Sequence, residues 1–581
     1  MSRSRFPLPE WPPRRVALFI FCAVFALYLP SLGNGFVWDD DSYVTGNRCL
    51  WIPGGLGRIW SDPSLSPQYY PLVFSALWLE HALWGFHPLG YHLVNICLHA
   101  ANAVWVWWLL RRLRVPGALL AGLLFGFHPV QVETADWISE CKNLLSTFFY
   151  FASFAAYLRW LNWEESRETA RGGRRHYWTA LFFFILALFS KTVACSLPAA
   201  ILLLIGWKRG RVRFRDVAPL LPFFGIGLGL GLYTAWLERV HVGAQGADWV
   251  FSWGEHFWIA GRDLGFYLFK LVWPDPLLFI YPHWTVSPSW LQQYGMLLAV
   301  LLCGWGLWLM QPRFGAGPLV AALFFGMTLF PALGFLNLYP LRFSFVADHF
   351  QYLACMAPLA LFSAWVNSVG VRFGWGPRAW SLAFLLILTP LAVKTIFQQR
   401  DYFDRLSLSQ SIILHNPHCW IALKNLGDGW RDRGKWDLAL QEYNDADELH
   451  PGDVPIRLAH GTVLEKMGDS AGALKDFQQA IALDPLSMPA QIDLGAFYAQ
   501  QQRWTTALPY FEKAVAIDRE SIPGHFSLAT ACYYLGDLER ALREYRLTLH
   551  LDPDFQPAQT GLATVREAML SPSMAPPLKS K

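Results

Sequence analysis

Long apolar runs dominate the first two thirds of the chain and stop near residue 398. Each is ~17–25 residues, enough for an α-helix to cross the hydrocarbon core of a bilayer. The pattern predicts an all-α, polytopic membrane domain over residues 16–398, preceded by a short N-terminal segment, 1–15. The first run, Val16 to Leu32, follows Arg3, Arg5, Arg14 and Arg15, as the apolar part of a secretory signal would. No small-residue cleavage motif follows it, and Pro30 and Asn34 lead into an acidic loop, so it is expected to remain as a membrane helix. Lys and Arg collect at the N-terminus, at Arg111 to Arg114, from Arg167 to Arg175 and from Lys208 to Arg215. The segments between them, Gly33 to Pro88, Glu133 to Lys142 and a break near Ser190, are poor in basic residues. Cytoplasmic loops retain basic residues, so this alternation predicts a cytoplasmic N-terminus and an outer location for the loop around Asp39. The run Phe257 to Trp273 is interrupted by Arg262, Asp263 and Lys270 and is expected to lie in the interface as an amphipathic helix. About eleven spans then remain, and an odd number leaves the C-terminal part outside as well, in a periplasm or lumen.

A different period takes over after the membrane domain. Small residues recur at Ala439, Ala473, Ala507 and Ala541, each 34 positions after the last, with Tyr443, Phe477, Phe511 and Tyr545 four residues further on. Gly434, Gly468 and Gly536 mark turns, with Gln502 in the remaining slot. Pro451, Pro485 and Pro553 close three repeats, and Arg519 stands in the fourth. A 34-residue period with a small residue where two helices cross is the signature of tetratricopeptide (TPR) repeats. It predicts an α-solenoid over 420–570, made of four repeats and a capping helix from Gln556 to Leu570, with a linker over 399–419 and a disordered tail over 571–581. Such arrays present extended concave surfaces that bind peptides and other partners.

Composition narrows the function classes. Hydrophobic residues make up 54% of the 581 positions and charged ones 15%, against roughly 25% charge in soluble domains. A net charge of +4 on so long a chain gives no support for nucleic-acid binding. The nine cysteines form no CxxC pair or Cys/His cluster, so neither a zinc site nor a disulfide framework is indicated; Cys49 and Cys141, in two outer loops, are a candidate disulfide. No GxxxxGK[ST] or Gly-rich βαβ fingerprint is present, which argues against a nucleotide-sugar enzyme.

The sharpest chemical feature is Asn34-Gly35-Phe36-Val37-Trp38-Asp39-Asp40-Asp41, just after the first membrane helix. Crowding three carboxylates raises the pKa of at least one of them. They can bind a metal, act as a general base, or form a solvated acidic loop; Trp38, Tyr43 and the membrane surface weigh against the last. Three further segments are His128-Pro129-Val130-Gln131-Val132-Glu133, Ser190-Lys191-Thr192 followed by Leu197-Pro198, and Ala347-Asp348-His349-Phe350-Gln351-Tyr352-Leu353.

These segments, in this order and followed by TPR repeats, resemble the TMTC (transmembrane and TPR-containing) proteins of the GT-C superfamily of membrane glycosyltransferases, and their bacterial relatives. The resemblance covers nearly the whole chain. It implies a GT-C-like membrane domain and inverting transfer of a sugar, mannose first, from a polyprenyl- or dolichyl-phosphate donor to a protein acceptor recruited by the TPRs. Asp39 or Asp40 aligns with the family's acidic pair as the base, with Asp41, Glu133 and His128 in support. Lys191, Arg342 and His349 are candidates to hold the donor phosphate, although snorkelling to the interface explains Lys191 as well. His349 stands where the family pattern has Arg, and a neutral His holds phosphate poorly at pH 7. Glu133 reads equally as a helix cap, and His128, before Pro129, as a helix-end residue. A divalent cation, Mg2+ or Mn2+, is compatible with this chemistry without being required by it. The competing reading is a non-enzymatic membrane TPR scaffold in an envelope or secretory complex; transport is weaker, because charges inside the spans are few.

Overall fold

The computed structural model describes residues 11–63, 68–166, 170–244, 246, 249–286 and 289–570. The tail over 571–581 and the first ten residues lie outside the described residues. The chain divides into two compact units, Met1–Asn416 and Pro417–Lys581. Every regular element among the described residues is helical.

In the first unit five helices are long and apolar enough to cross a membrane, by length and composition: Pro88–Arg112, Thr192–Arg209, Phe214–Val242, Trp290–Leu309 and Pro377–Tyr402. Ala118–Phe127 and Gly317–Ala332 are shorter apolar helices. Cys141–Ser166 and Ala170–Ser190 are as long but carry more polar and charged residues. The helix Pro88–Arg112 has an unusual inner face. His92, Asn95, His99 and Asn102 recur at spacings of three and four, which is one side of a helix, and all are buried. Asn95 Nδ2 donates to the carbonyls of Trp137 and Ile138 at 3.1 and 3.3 Å. Asn102 Nδ2 donates to Leu144 O at 3.0 Å and to Tyr352 Oη at 3.2 Å, and His99 Nδ1 meets the same hydroxyl at 2.9 Å. This stripe fixes the loop before Cys141 and the segment around Tyr352 against one rigid element.

The structure bears on three expectations. The segment expected in the interface forms the helix Trp253–Val272, whose buried side includes Asp263, Tyr267 and Lys270 while Phe269 and Val272 are exposed. Lys270 Nζ donates to Pro276 O and Tyr267 Oη accepts from Ala347 N, whereas the buried Asp263 carboxylate has no hydrogen-bond partner among the described residues and Arg262 is exposed. Cys49 and Cys141 are both buried and unbonded to each other. Residues 399–416, expected as linker, are mostly helical and belong to the first unit, with Asp404 capping Arg405–His415 through Ser407 N.

The second unit pairs Trp420–Asp432 with Trp436–Leu449, Val454–Met467 with Ser470–Leu483, Met488–Gln500 with Trp504–Ile517, and Ile522–Tyr534 with Leu538–Leu551; Gln556–Leu570 closes the stack. Ala439, Ala473, Ala507 and Ala541 are all 0% exposed, because the paired helices leave room there for a methyl group only. Tyr443 and Phe511 lie flat against Gly427 and Gly495, where an added Cβ would come within 2.6 Å of either ring. Gly434, Gly468 and Gly536 take positive φ at the turns, and Gln502 does so in its slot at 58°.

Candidate functional site

The site is built from two loops and two helix ends of the first unit. Val37 to Asp40 form a tight turn: Asp40 N donates to Val37 O at 3.0 Å, and the Asp40 carboxylate accepts from Val37 N at 2.9 Å. The other carboxylate oxygen accepts from Ser139 N at 2.8 Å and Ser139 Oγ at 2.5 Å, tying the first loop to the second. Burial pushes the Asp40 pKa up to about 7, against the pull of those hydrogen bonds. With three donors bound and no exposure, Asp40 is a fastening. Asp39 is different. It is half-buried, and among the described residues its carboxylate accepts no hydrogen bond from the protein. Burial raises its pKa; Lys142 opposes the rise and Glu140 adds to it. Asp41 is exposed and pairs with Arg405.

Glu140, 0% exposed, sits at the centre of the charges. Lys142 Nζ lies 3.0 Å from one oxygen, Lys191 Nζ 3.7 Å from the other, and His349 Nε2 3.9 Å from the first. Burial alone would raise the Glu140 pKa; Lys142, then Lys191 and His349, bring it down to about 2. Lys142 also lies 5.0 Å above the rings of both Tyr43 and Trp137. Lys191 follows the helix Ala170–Ser190, and burial lowers its pKa to about 8 despite Glu140. The His349 Nδ1 donates to Glu133 Oε1 at 2.8 Å and its backbone N to Glu133 Oε2 at 3.1 Å, so Glu133 fixes both ring and chain. Glu238, at the end of the Phe214–Val242 helix, approaches from another side, taking hydrogen bonds from Gln68 and Tyr339 N.

The structure thus brings Asp39, Asp40, Glu133, Lys191 and His349 together. His128 is placed as a helix-end residue, its Nδ1 accepting from Val130 N and its Nε2 meeting Leu271 O at 3.0 Å. Arg342 lies half-buried in the turn Tyr339–Arg342 and is not among the main charges acting on Asp39, Glu140 or Lys191. Sequence reasoning passed over Glu140, Lys142 and Glu238. The available signal was Glu140-Cys141-Lys142, two opposite charges in a loop otherwise poor in basic residues. Among the described residues, no group of three or more His, Cys, Asp or Glu is arranged to hold a metal ion.

Residues 458–522 match the family model for the tetratricopeptide repeat. The chain is 28% identical over 207 residues to the human protein O-mannosyl-transferase TMTC4, across 31% of this chain and 28% of that protein. It is 31% identical over 163 residues to Drosophila melanogaster protein O-mannosyl-transferase Tmtc2, across 26% of this chain and 17% of the relative. Its curated homologues are TMTC proteins. The matches to TMTC4 and Tmtc2 span less than a third of those relatives' length. Drosophila Tmtc1, named in the same way, is 32% identical over 147 residues, 23% of this chain and 17% of its own. Among solved structures, the chain is similar to MamA over 28% of its length and 94% of that chain, at 19% identity and a TM-score of 0.24. The TMTC likeness, the long apolar helices and the repeats together describe a membrane protein with a TPR region.

Proposed function

We propose that this chain is a membrane glycosyltransferase that moves a sugar, mannose first, from a polyprenyl- or dolichyl-phosphate donor to a hydroxyl of a polypeptide acceptor. The observation that carries the reading is the meeting of one unbonded carboxylate, Asp39, with the buried Lys142 and the half-buried Lys191 around Glu140. The names of the TMTC relatives as protein O-mannosyl-transferases support the sugar and the protein acceptor.

The chemistry follows from that arrangement. Asp39 takes the proton of the acceptor hydroxyl, and its raised pKa makes it a better base than a solvated carboxylate. The acceptor oxygen bonds to the anomeric carbon as the bond from that carbon to the phosphate oxygen breaks. The electron pair stays on the phosphate, whose added negative charge is met by Lys191 and Lys142. A single displacement of this kind inverts the anomeric centre. His349, engaged by Glu133, gives the phosphate little help, so the lysines take the place of the arginine expected there. In this reading the lysines supply the positive charge, and Mg2+ or Mn2+ is dispensable. The N-terminus is cytoplasmic, the site faces the periplasm or lumen, and the TPR repeats recruit the acceptor on that side.

The test is transfer of radiolabelled mannose from polyprenyl-phosphate mannose to extracytoplasmic proteins by purified protein, with Asp39→Asn alongside. Wild type should transfer label with EDTA present, and the variant should lose about 10²–10⁴-fold in rate, the usual contribution of a positioned base. No transfer by wild type from mannose, glucose or N-acetylglucosamine donors would leave the TPR scaffold as the function.

A further inference from the structure

The turn that carries Asp39 is built against local preference. Hydrogen bonding from Asp40 N to Val37 O makes Trp38 and Asp39 its two central residues. Trp38 has φ +50°, in the left-handed region, while Asp39 is not among the residues of positive φ. A turn with positive φ at its first central residue ordinarily has Gly there. For a bulky L-residue that conformation is disfavoured by the clash of its Cβ with the backbone. The turn holds because Asp40 clamps it from both ends, through Val37 and through Ser139.

Packing does not account for the tryptophan. Glycine would satisfy the turn, and the indole remains half-buried instead of filling the core. Its ring leans on Phe279, centroid to centroid 5.0 Å, and Phe279 leans on Trp137 at 4.8 Å. Trp137 in turn lies under Lys142 and 5.8 Å from the His349 ring. An aromatic row therefore runs from the residue before Asp39 to the cations around Glu140. One end of the row adjoins the carboxylate and the other adjoins the positive charge.

We infer that Trp38 is the platform for the sugar ring of the donor, holding its anomeric carbon beside Asp39 while the phosphate reaches the lysines. The inference rests on the donor class proposed above. A hexose has an apolar C–H face that suits an amphipathic aromatic surface, and its phosphate end matches the cationic end of the row. Asp39 and Trp38, as adjacent central residues of one clamped turn, move as a unit, so the same fastening that aims the base aims the platform. Trp38 is a substrate-contacting residue in this scheme, with Phe279 as its backing.

The experiment compares binding of farnesyl phosphate mannose and farnesyl phosphate to the full-length protein, in wild type, Trp38→Phe and Trp38→Gly. Glycine suits the backbone of the turn, so the loop keeps its shape while the ring is lost. Wild type should bind the mannosyl ligand more tightly than the bare phosphate. Trp38→Gly should bind the mannosyl ligand about tenfold more weakly, with bare phosphate unchanged, and Trp38→Phe should restore most of the difference. Equal loss for both ligands would mean a merely structural role and would overturn the inference. So would an unchanged mannosyl preference in Trp38→Gly, or no preference in wild type that binds the bare phosphate. Failure of wild type to bind either ligand would instead overturn the donor class, and the platform with it.

Discussion

The two units of this chain bury polar groups in opposite ways. In the TPR unit the interior is alanine, aliphatic and aromatic, and orphaned buried polar atoms among the described residues are confined to Asp447 and Gln491. Buried charge there is matched, as where Asp428 takes Tyr443 Oη at 2.7 Å with Lys424 and Arg431 beside it. In the membrane unit Thr134, Asp136, Asp263 and Gln351 all keep buried polar atoms without a partner, and Glu140 holds an excess of cations around it. Unmatched buried polarity costs stability. A unit that only has to present a surface can avoid that cost; one that, as proposed above, holds a base beside phosphate-binding cations cannot.

The difference can be pressed hardest by one isosteric change made in each unit. Glu140→Gln removes the counter-ion of the buried Lys142 and the half-buried Lys191 and should cost about 3 kcal/mol of local stability, read as faster hydrogen exchange in the Pro88–Arg112 and Cys141–Ser166 helices. Glu512→Gln, which loosens the partly exposed pair with Arg540, should cost under about 1 kcal/mol in the same measurement. Equal effects would remove the contrast. A smaller effect is expected from pH. Lys191 is protonated below its pKa of about 8 and loses its charge above it, so kcat/KM for the donor should fall about tenfold per pH unit beyond that point. Lys191→Arg, which stays charged, should move the fall to higher pH. The smallest effect sharpens the other side: Gln502→Gly suits the left-handed turn and should raise the melting temperature of the repeats, a gain of about 0.5–1 kcal/mol.

The same contrast explains what could be read from the sequence. The repeats were legible because each helix pair is specified within 34 residues, and every small residue, aromatic and turn glycine recurs on schedule. Asp39 was legible as one of three acids, but nothing local separates it from Asp40 and Asp41. The distinction comes from Ser139, 99 residues from Asp40, and from Arg405, 364 residues from Asp41. Glu140 and Lys142 were missed for the same reason: their meaning depends on Lys191 and His349, brought in from distant helix ends. The charges of Trp253–Val272 were visible, but not the direction they face, since a helical stripe of charge looks the same turned toward headgroups or toward protein.

The polar stripe of Pro88–Arg112 also has a consequence for biogenesis. Two histidines and two asparagines make this helix a poor candidate to settle alone in lipid, where such groups need partners. Yet Tyr352, which answers Asn102 and His99, is synthesised 250 residues after Asn102. The helix must therefore wait, shielded by its neighbours or by the insertion machinery, until late segments arrive. Completion of the loops around Glu140 and completion of membrane integration become a single event.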